Sequence, residues 1–266
     1  IRVPSAAATL LSMTSSDTRI CVVFGAGEYY REIPSVPAGA FVVAADGGLD
    51  HAREFGVDVD VVVGDFDSIR GDRPQDDGRT VTLPPEKDDP DLLSALKIGW
   101  AHGARAFHIY GALGGRIDHT IANIQLMALL AERGGTGFLH GDGALVTAIS
   151  DGALEFPAAD AAHGGMVSVF SHSDVASDVS ETGLKYEIAH VDMSDVRVNG
   201  LSNELVPGEP ARIEVGRGTL VVTFPLSAPL PRVERFHDVE GDLGRLDTAV
   251  SPALVRRNGG HGRDNV

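Results

Sequence analysis

Apolar and polar positions alternate in two distinct ways along this chain. In the first half, short β-rich runs are followed by segments with helical spacing. Ile20–Phe24, Phe41–Ala45, Asp60–Val63, Thr80–Leu83 and Ala106–Tyr110 read as strands. Leu49–Phe55, Asp91–Ala101 and Ile117–Ala131 read as helices, the second carried by Leu92, Leu93, Leu96 and Trp100, the third by Ile121, Ile124, Leu126, Leu129 and Leu130. Such alternation predicts an α/β class with a mostly parallel sheet, in three α/β/α layers over residues 19–150. Beyond Ser150 no amphipathic helix is predicted. Gly165–Phe170, Val196–Val198, Arg212–Val215 and Thr219–Phe224 are short β-rich runs separated by turn residues, which predicts an all-β sandwich over 151–226. Residues 1–18 and 227–266 lack periodicity and are expected to be flexible.

Charge and composition narrow the chemistry. A formal net charge of −16 repels nucleic-acid backbones, so nucleic-acid binding is not expected. A phosphate substrate stays compatible, because Mg²⁺ can bring positive charge to a carboxylate-lined site. No apolar run reaches membrane-spanning length. The lone Cys21 begins an apolar run and is expected in the core of a protein from a reducing, cytoplasmic compartment. Met13 is a candidate start, while Arg2, several serines and no acid within Ile1–Ser16 leave an organelle-targeting reading open.

The Gly- and Asp-rich strings fall where predicted strands end, which is where ligands gather on such sheets. Gly64-Asp65-Phe66-Asp67-Ser68 places two carboxylates one residue apart, able to turn toward one ion; an acidic surface turn is the alternative. Lys87-Asp88-Asp89-Pro90-Asp91 opens a helix; its acids suit a helix start, and Asp91 can also complete an ion site with Asp65 and Asp67. Gly111-Ala112-Leu113-Gly114-Gly115-Arg116 joins a strand to a helix, so backbone N–H groups and the Arg116 fork can meet a phosphate, with Asp118 holding Arg116. Asp46-Gly47-Gly48 is a turn or a nucleotide contact, and His119 a general base or, more plainly, a helix residue that packs or caps. Walker A, CxxC, HExxH and GxSxG strings are absent.

In order and spacing these strings, with Asn123, Thr182-Gly183-Leu184-Lys185-Tyr186 and Gly200-Leu201-Ser202-Asn203-Glu204, resemble the thiamine pyrophosphokinase family over about Arg19 to Phe224. The resemblance implies transfer of the β,γ-diphosphate of ATP to the hydroxyethyl oxygen of thiamine, giving thiamine diphosphate and AMP. It implies Mg²⁺ on Asp65, Asp67 and Asp91. Around the nucleotide and reacting phosphates it places Asp46, Arg116 and Asp118, together with Gly47, Gly48, Ser68, Lys87, Gly114, Gly115 and Asn123. Asp88 or Asp118 is the expected acceptor for the hydroxyl proton. Lys185, Tyr186, Ser202 and Asn203 are expected at thiamine, in a homodimer whose sites lie between subunits. The family pattern has Thr where this chain has Pro90. A Mg²⁺-dependent phosphohydrolase and a degenerate nucleotide- or thiamine-binding protein are the competing expectations.

Overall fold

The computed structural model describes residues 19–67, 69–71, 78–159 and 165–250. The expectations for 1–18, for Ser68 and for the tail beyond 250 lie outside the described residues.

Six strands build the parallel part of the sheet: β1 (Arg19–Phe24), β2 (Phe41–Ala45), β3 (Val61–Gly64), β4 (Thr80–Thr82), β5 (Ala104–Tyr110) and β6 (Thr136–His140). Their spatial order is β4-β3-β2-β1-β5-β6, every neighbouring pair parallel. Strands buried on both faces need apolar residues at successive positions, and Val22, Val23 and Phe24 are all fully buried. Even-numbered β1 residues face α1 (Gly48–Glu54), through a cluster of Val22, Phe24, Leu49 and Ala52. Odd-numbered ones face the other side, where Cys21 and Val23 pack with Leu96 of α2 (Asp91–Ala101) and Met127 of α3 (Ile117–Glu132). The three α/β/α layers follow. Burial pushes the Cys21 thiol well above its ordinary value, as expected for an inert core cysteine. Among the described residues no helix is long and apolar enough to cross a membrane.

Strand β7 (Ala144–Phe156) pairs antiparallel with β6 and runs through residue 150, so the two halves share one strand rather than a linker. Its partner β12 (Ala211–Pro225) merges two runs expected as separate strands. Between them lies a bulge, with Gly216, Arg217 and Gly218 opposite Asp151 alone; Gly218 N donates to Asp151 Oδ1 at 2.7 Å. The bulge shifts parity: Ala211, Ile213 and Val215 on one side and Leu220, Val222 and Phe224 on the other all enter one core. That core is closed by β8 (Met166–Ser171), β9 (Val175–Thr182), β10 (Ile188–Ser194) and the short β11 (Asn203–Glu204). Residues Val196–Val198, expected as a strand, are not one. Arg197 N donates to Ser194 O at 3.2 Å to close a turn, and Val196 and Val198 face solvent.

The expected flexibility of 227–266 does not hold for 227–250. Strand β13 (Arg232–Arg235) pairs with β7, and ion pairs of Arg232 with Glu155 and of Arg212 with Glu155, Glu214 and Glu234 knit β13, β7 and β12 together. Leu243 then returns to the α2/α3 core. Leu243→Ala is expected to cost about 2 kcal/mol in a denaturant melt, the lower end for a buried leucine.

Candidate active site

Strands β3, β2, β1 and β5 end side by side, about 4.8 Å apart, and β3, β2 and β5 each run into one of the predicted strings. The direction of winding reverses at β1, whose neighbours are β2 and β5, which marks the usual ligand crevice. Gly25 N donates to Tyr110 O and Gly27 N to Gly111 O, both at 2.8 Å, so the two chain segments stay parallel beyond the sheet.

Asp46 is the joint of the acidic cluster. It takes a left-handed φ of 46°, which Asp tolerates better than most residues. Its N–H donates to Val63 O at 2.9 Å and its Oδ1 accepts from Phe66 N at 3.2 Å, tying β2 to the loop after β3. The carboxyl also meets that of Asp91. Burial first, then Asp91 and Asp65, push Asp46 up to about 7. Gly64, at φ 152°, leaves room for it: a Cβ there would lie 1.8 Å from Asp46 Oδ1. Gly48 likewise presses on Phe24 O, which a Cβ would approach to 2.0 Å, and Gly47 is buried beside it.

Asp91 opens α2, where the helix dipole favours an anion, and pairs with the buried Lys87 Nζ at 2.7 Å. Pro90 is the extended N-cap; it offers no side-chain cap, and Ser94 N bonds its carbonyl at 3.1 Å. The missing Thr therefore removes a cap without displacing Asp91. Asp65 Oδ1 accepts from Asp67 N at 3.1 Å; Asp67 and Asp88 are both exposed. Among the described residues, no three His, Cys, Asp or Glu side chains converge closely enough to form a ready-made metal site. The donor set nonetheless suits a hard divalent cation. Asp46 and Asp91 meet, Asp65 lies near enough to act on Asp46, and Lys87 pairs with Asp91; burial first, then these neighbouring carboxylates, raise the Asp46 pKa.

Across the crevice, Gly111, Gly114 and Gly115 all have positive φ. Asn123, expected at the nucleotide, is buried and donates Nδ2 to Ala112 O at 2.7 Å, so it shapes the turn from behind. Arg116 and Asp118 form an exposed two-point pair at 3.1 and 2.5 Å, with the arginine side chain 73 % exposed. The Arg116 hydrogen bonds hold Asp118 below the usual carboxylate range. His119 is exposed on the first turn of α3, and its N–H donates to Asp118 Oδ1.

The second group of predicted residues sits at the end of β9. Lys185 pairs with Glu204 at 2.6 Å and lies over the Tyr186 ring, which is 62 % exposed. Ser202 is exposed at φ 63°. Asn203 corrects the expectation of a thiamine contact. It is buried; Oδ1 accepts from Tyr186 N and Glu204 N, and Nδ2 donates to Tyr186 O and Glu181 Oε2. Its amide is spent clamping the Tyr186 turn. Asn203→Ala is expected to destabilise the fold by about 2 kcal/mol, since it strands the buried Glu181 carboxylate, and thermal melts check it.

The two groups are far apart along the sheet. From β1 to β9 the path crosses β5, β6, β7 and β12, five steps, or on the order of 24 Å at about 4.8 Å each. A further part of the site had no signal in the sequence. Tyr29 and Tyr30, on the β1–β2 connection, cover the glycine-rich turn from one side, and Glu32 beside them reaches His140.

Residues 35–135 match the family model described as thiamin pyrophosphokinase, catalytic domain. No curated protein sequence matches the chain. Among solved structures, thiamine pyrophosphokinase from Bacillus subtilis is similar at 21 % identity and a TM-score of 0.67, over 78 % of this chain and 99 % of that one. The Geobacillus thermodenitrificans enzyme gives 25 % and 0.63, over 77 % and 97 %. Yeast thiamin pyrophosphokinase gives 11 % and 0.59, over 80 % and 87 %. Asp46, Asp65 and Asp91 lie within the matched residues 35–135, and over about three quarters of its length the chain shares the fold of these structures: it carries a stretch similar to the thiamin pyrophosphokinase catalytic domain on a thiamine pyrophosphokinase-like fold.

Proposed function

We propose that this protein transfers the β,γ-diphosphate of ATP to the hydroxyethyl oxygen of thiamine, releasing AMP. The observation that carries the reading is the acidic cluster of Asp46, Asp65 and Asp91 at the ends of β2 and β3 and the start of α2, facing the glycine-rich turn and Arg116 across the crevice, in a chain with a stretch similar to the thiamin pyrophosphokinase catalytic domain.

Asp65, Asp67 and Asp91 would hold Mg²⁺. When bound, the ion supplies Lewis-acid charge across the phosphates as the α–β bridge breaks. Lys87 pairs with Asp91 and orients its carboxylate. The N–H groups at the start of α3 and the exposed Arg116 fork bind the phosphate oxygens and take up charge on the leaving AMP. Of the two expected proton acceptors, Arg116 holds Asp118 below the usual carboxylate range and occupies its oxygens, whereas Asp88 is exposed next to Lys87, so Asp88 is the better fit.

The separation of the two residue groups supports a homodimer with shared sites. Ile117 and Ile121, 72 % and 55 % exposed, form an apolar patch beside Arg116, and Met166, Tyr186 and Leu201 expose a second near the thiamine residues. A second copy covering one patch with the other would bring Tyr186 of one subunit to Arg116 of its partner. Asp91→Asn and Tyr186→Ala proteins, each nearly inactive alone, are expected to recover about a quarter of wild-type activity when refolded together, since random pairing leaves half the dimers with one intact site. No recovery would place each site within one chain. We place the reaction in the cytoplasm, where an unpaired thiol such as Cys21 persists.

AMP formation from ATP, with and without thiamine, tests the function. Thiamine-dependent AMP that stops on adding EDTA and returns with Mg²⁺ is expected. Thiamine-independent phosphate release would instead mark a hydrolase, and thiamine binding without AMP a degenerate binder.

A further inference from the structure

The connection between β1 and β2 is a strap pinned to the sheet at several points. The Tyr29 hydroxyl donates to Gly25 O at 2.9 Å, and its ring lies among Phe24, His51 and Phe55. Pro34 is buried, and Ser35 N donates to the Tyr110 hydroxyl at 3.1 Å. Between these anchors two successive non-glycine residues, Tyr30 and Arg31, take positive φ of 54° and 114°. Such a pair persists only where its surroundings over-determine it.

The surroundings here are a buried polar chain. Glu32 Oε1 lies 2.6 Å from His140 Nδ1, and His140 Nε2 lies 3.1 Å from His108 Nδ1. Tyr110 packs on the His140 ring at 4.0 Å. The His140 and Glu32 side chains are only 7 % and 12 % exposed, and burial holds His108 neutral, with its pKa lowered to about 3. Glu32 accepts the Nδ1 proton of His140 whichever charge that ring carries. A nearly dry ion pair gains little net stability over apolar packing, so its geometric consequence is the feature that needs explaining.

That consequence is where Tyr30 sits. Its hydroxyl occupies the place a side chain on Gly114 would take: a Cβ there would be 1.6 Å from it. Tyr29 covers Gly111 in the same way, at 2.5 Å. The strap therefore backs the glycine-rich turn at two of its positive-φ glycines, two and five residues before Arg116.

We infer that Glu32 is a positioning residue: its pair with His140 holds the 28–36 strap on the sheet so that Tyr30 fixes the 111–115 turn, and with it Arg116, for a phosphate-bearing substrate. The inference rests on the reading of that turn as the phosphate site. It assigns work to three residues, Tyr30, Glu32 and His140, that lie outside every predicted string.

Hydrogen exchange at the 111–116 amides and the KM for ATP, read on the full-length protein, test it together. Glu32→Ala is expected to speed exchange there about tenfold and raise the KM for ATP about tenfold, with kcat within threefold of wild type. Glu32→Gln, whose side-chain oxygen still accepts from His140, should restore both values to within threefold. Tyr30→Ala, at a partly exposed position that should not threaten folding, should reproduce the defect, and the Glu32→Ala/Tyr30→Ala protein should be no worse than either single variant. Unchanged exchange at 111–116 in both single variants would overturn the latch. Faster exchange with an unchanged KM for ATP, or additive defects in the double variant, would overturn its positioning role. Exchange is read on the protein alone, so it decides the latch even if the wild type makes no AMP from ATP and thiamine.

Discussion

Asp46→Asn is expected to give a protein more stable than the wild type and at least 100-fold slower. Asparagine keeps the bond from Phe66 N and tolerates the left-handed φ of 46°, so the local backbone has no reason to move. What disappears is the charge. In the folded wild type, burial and the neighbouring Asp91 and Asp65 raise the Asp46 pKa from its ordinary 3.8 to about 7. A carboxyl raised in the folded state binds its proton more tightly there than in the unfolded chain. Stability is therefore lost as pH rises from about 3.8 to about 7, and the loss is complete above 7. Asp46→Asn escapes that loss. Its advantage should be absent near pH 4 and reach about 1–2 kcal/mol above pH 7, after allowing for the carboxyl's partial exposure. Activity moves the other way, because the same crowded negative charge is what suits the site to a metal–phosphate complex. Denaturant melts at pH 4 and pH 8, with turnover at pH 8, check both halves. Asp67→Asn serves as the contrast: its side chain is exposed, so turnover should fall sharply with stability unchanged.

Gly64→Ala should damage both stability and turnover. The residue has φ 152°, which side chains rarely adopt, and the new Cβ would stand 1.8 Å from Asp46 Oδ1 and 3.2 Å from Asp46 N. Either β3 or Asp46 must shift. The expected cost is about 3 kcal/mol, or roughly 6–12 °C in Tm for a chain of this size. Turnover should fall at least 100-fold, because the displaced carboxylate belongs to the site. The clash is specific and can be relieved. Adding Asp46→Ala to Gly64→Ala should recover at least about 1 kcal/mol, a coupling that a cycle of melts measures directly. Strict additivity would mean that Gly64 is needed for its backbone conformation alone.

Periodicity in the sequence served best where one element buries one face. Helix α2 spans Asp91–Ala101 and β2 spans Phe41–Ala45, both as the apolar spacing predicts. It served least well in the second half. Strand β7 was hidden because Asp151 and Gly152 interrupt its apolar pattern at the bulge, and they look like a domain boundary. Strands β9 and β10 are half exposed and carry Ser, Asp and His, so alternation is weak. Val196–Val198 misled in the opposite direction, since apolar residues on a solvent-facing turn imitate a strand.

The candidate site divides similarly. The acids were visible because they cluster at strand ends and match the family's strings. Which of them touch was not: the Asp46–Asp91 contact joins the end of β2 to the start of α2, and Lys87 lies one helical turn before Asp91 on the chain that leads into that helix. Asn203 was found as a site residue, but its amide is taken up by the fold itself, while Asn123 gives one Nδ2 proton to Ala112 O. A buried amide with saturated bonds, such as that of Asn203, cannot be told from a ligand-facing one by its neighbours in sequence. Glu32 and His140 are 108 residues apart and follow no local pattern, so only the folded chain pairs them.

The most direct test of the central claim is the fate of phosphorus in ATP labelled with ³²P at the β position. Incubated with the protein, Mg²⁺ and thiamine, the label should appear in thiamine diphosphate, with unlabelled AMP formed in equal amount. Label that stays in ADP, or is released as phosphate or diphosphate whether or not thiamine is present, would contradict diphosphate transfer.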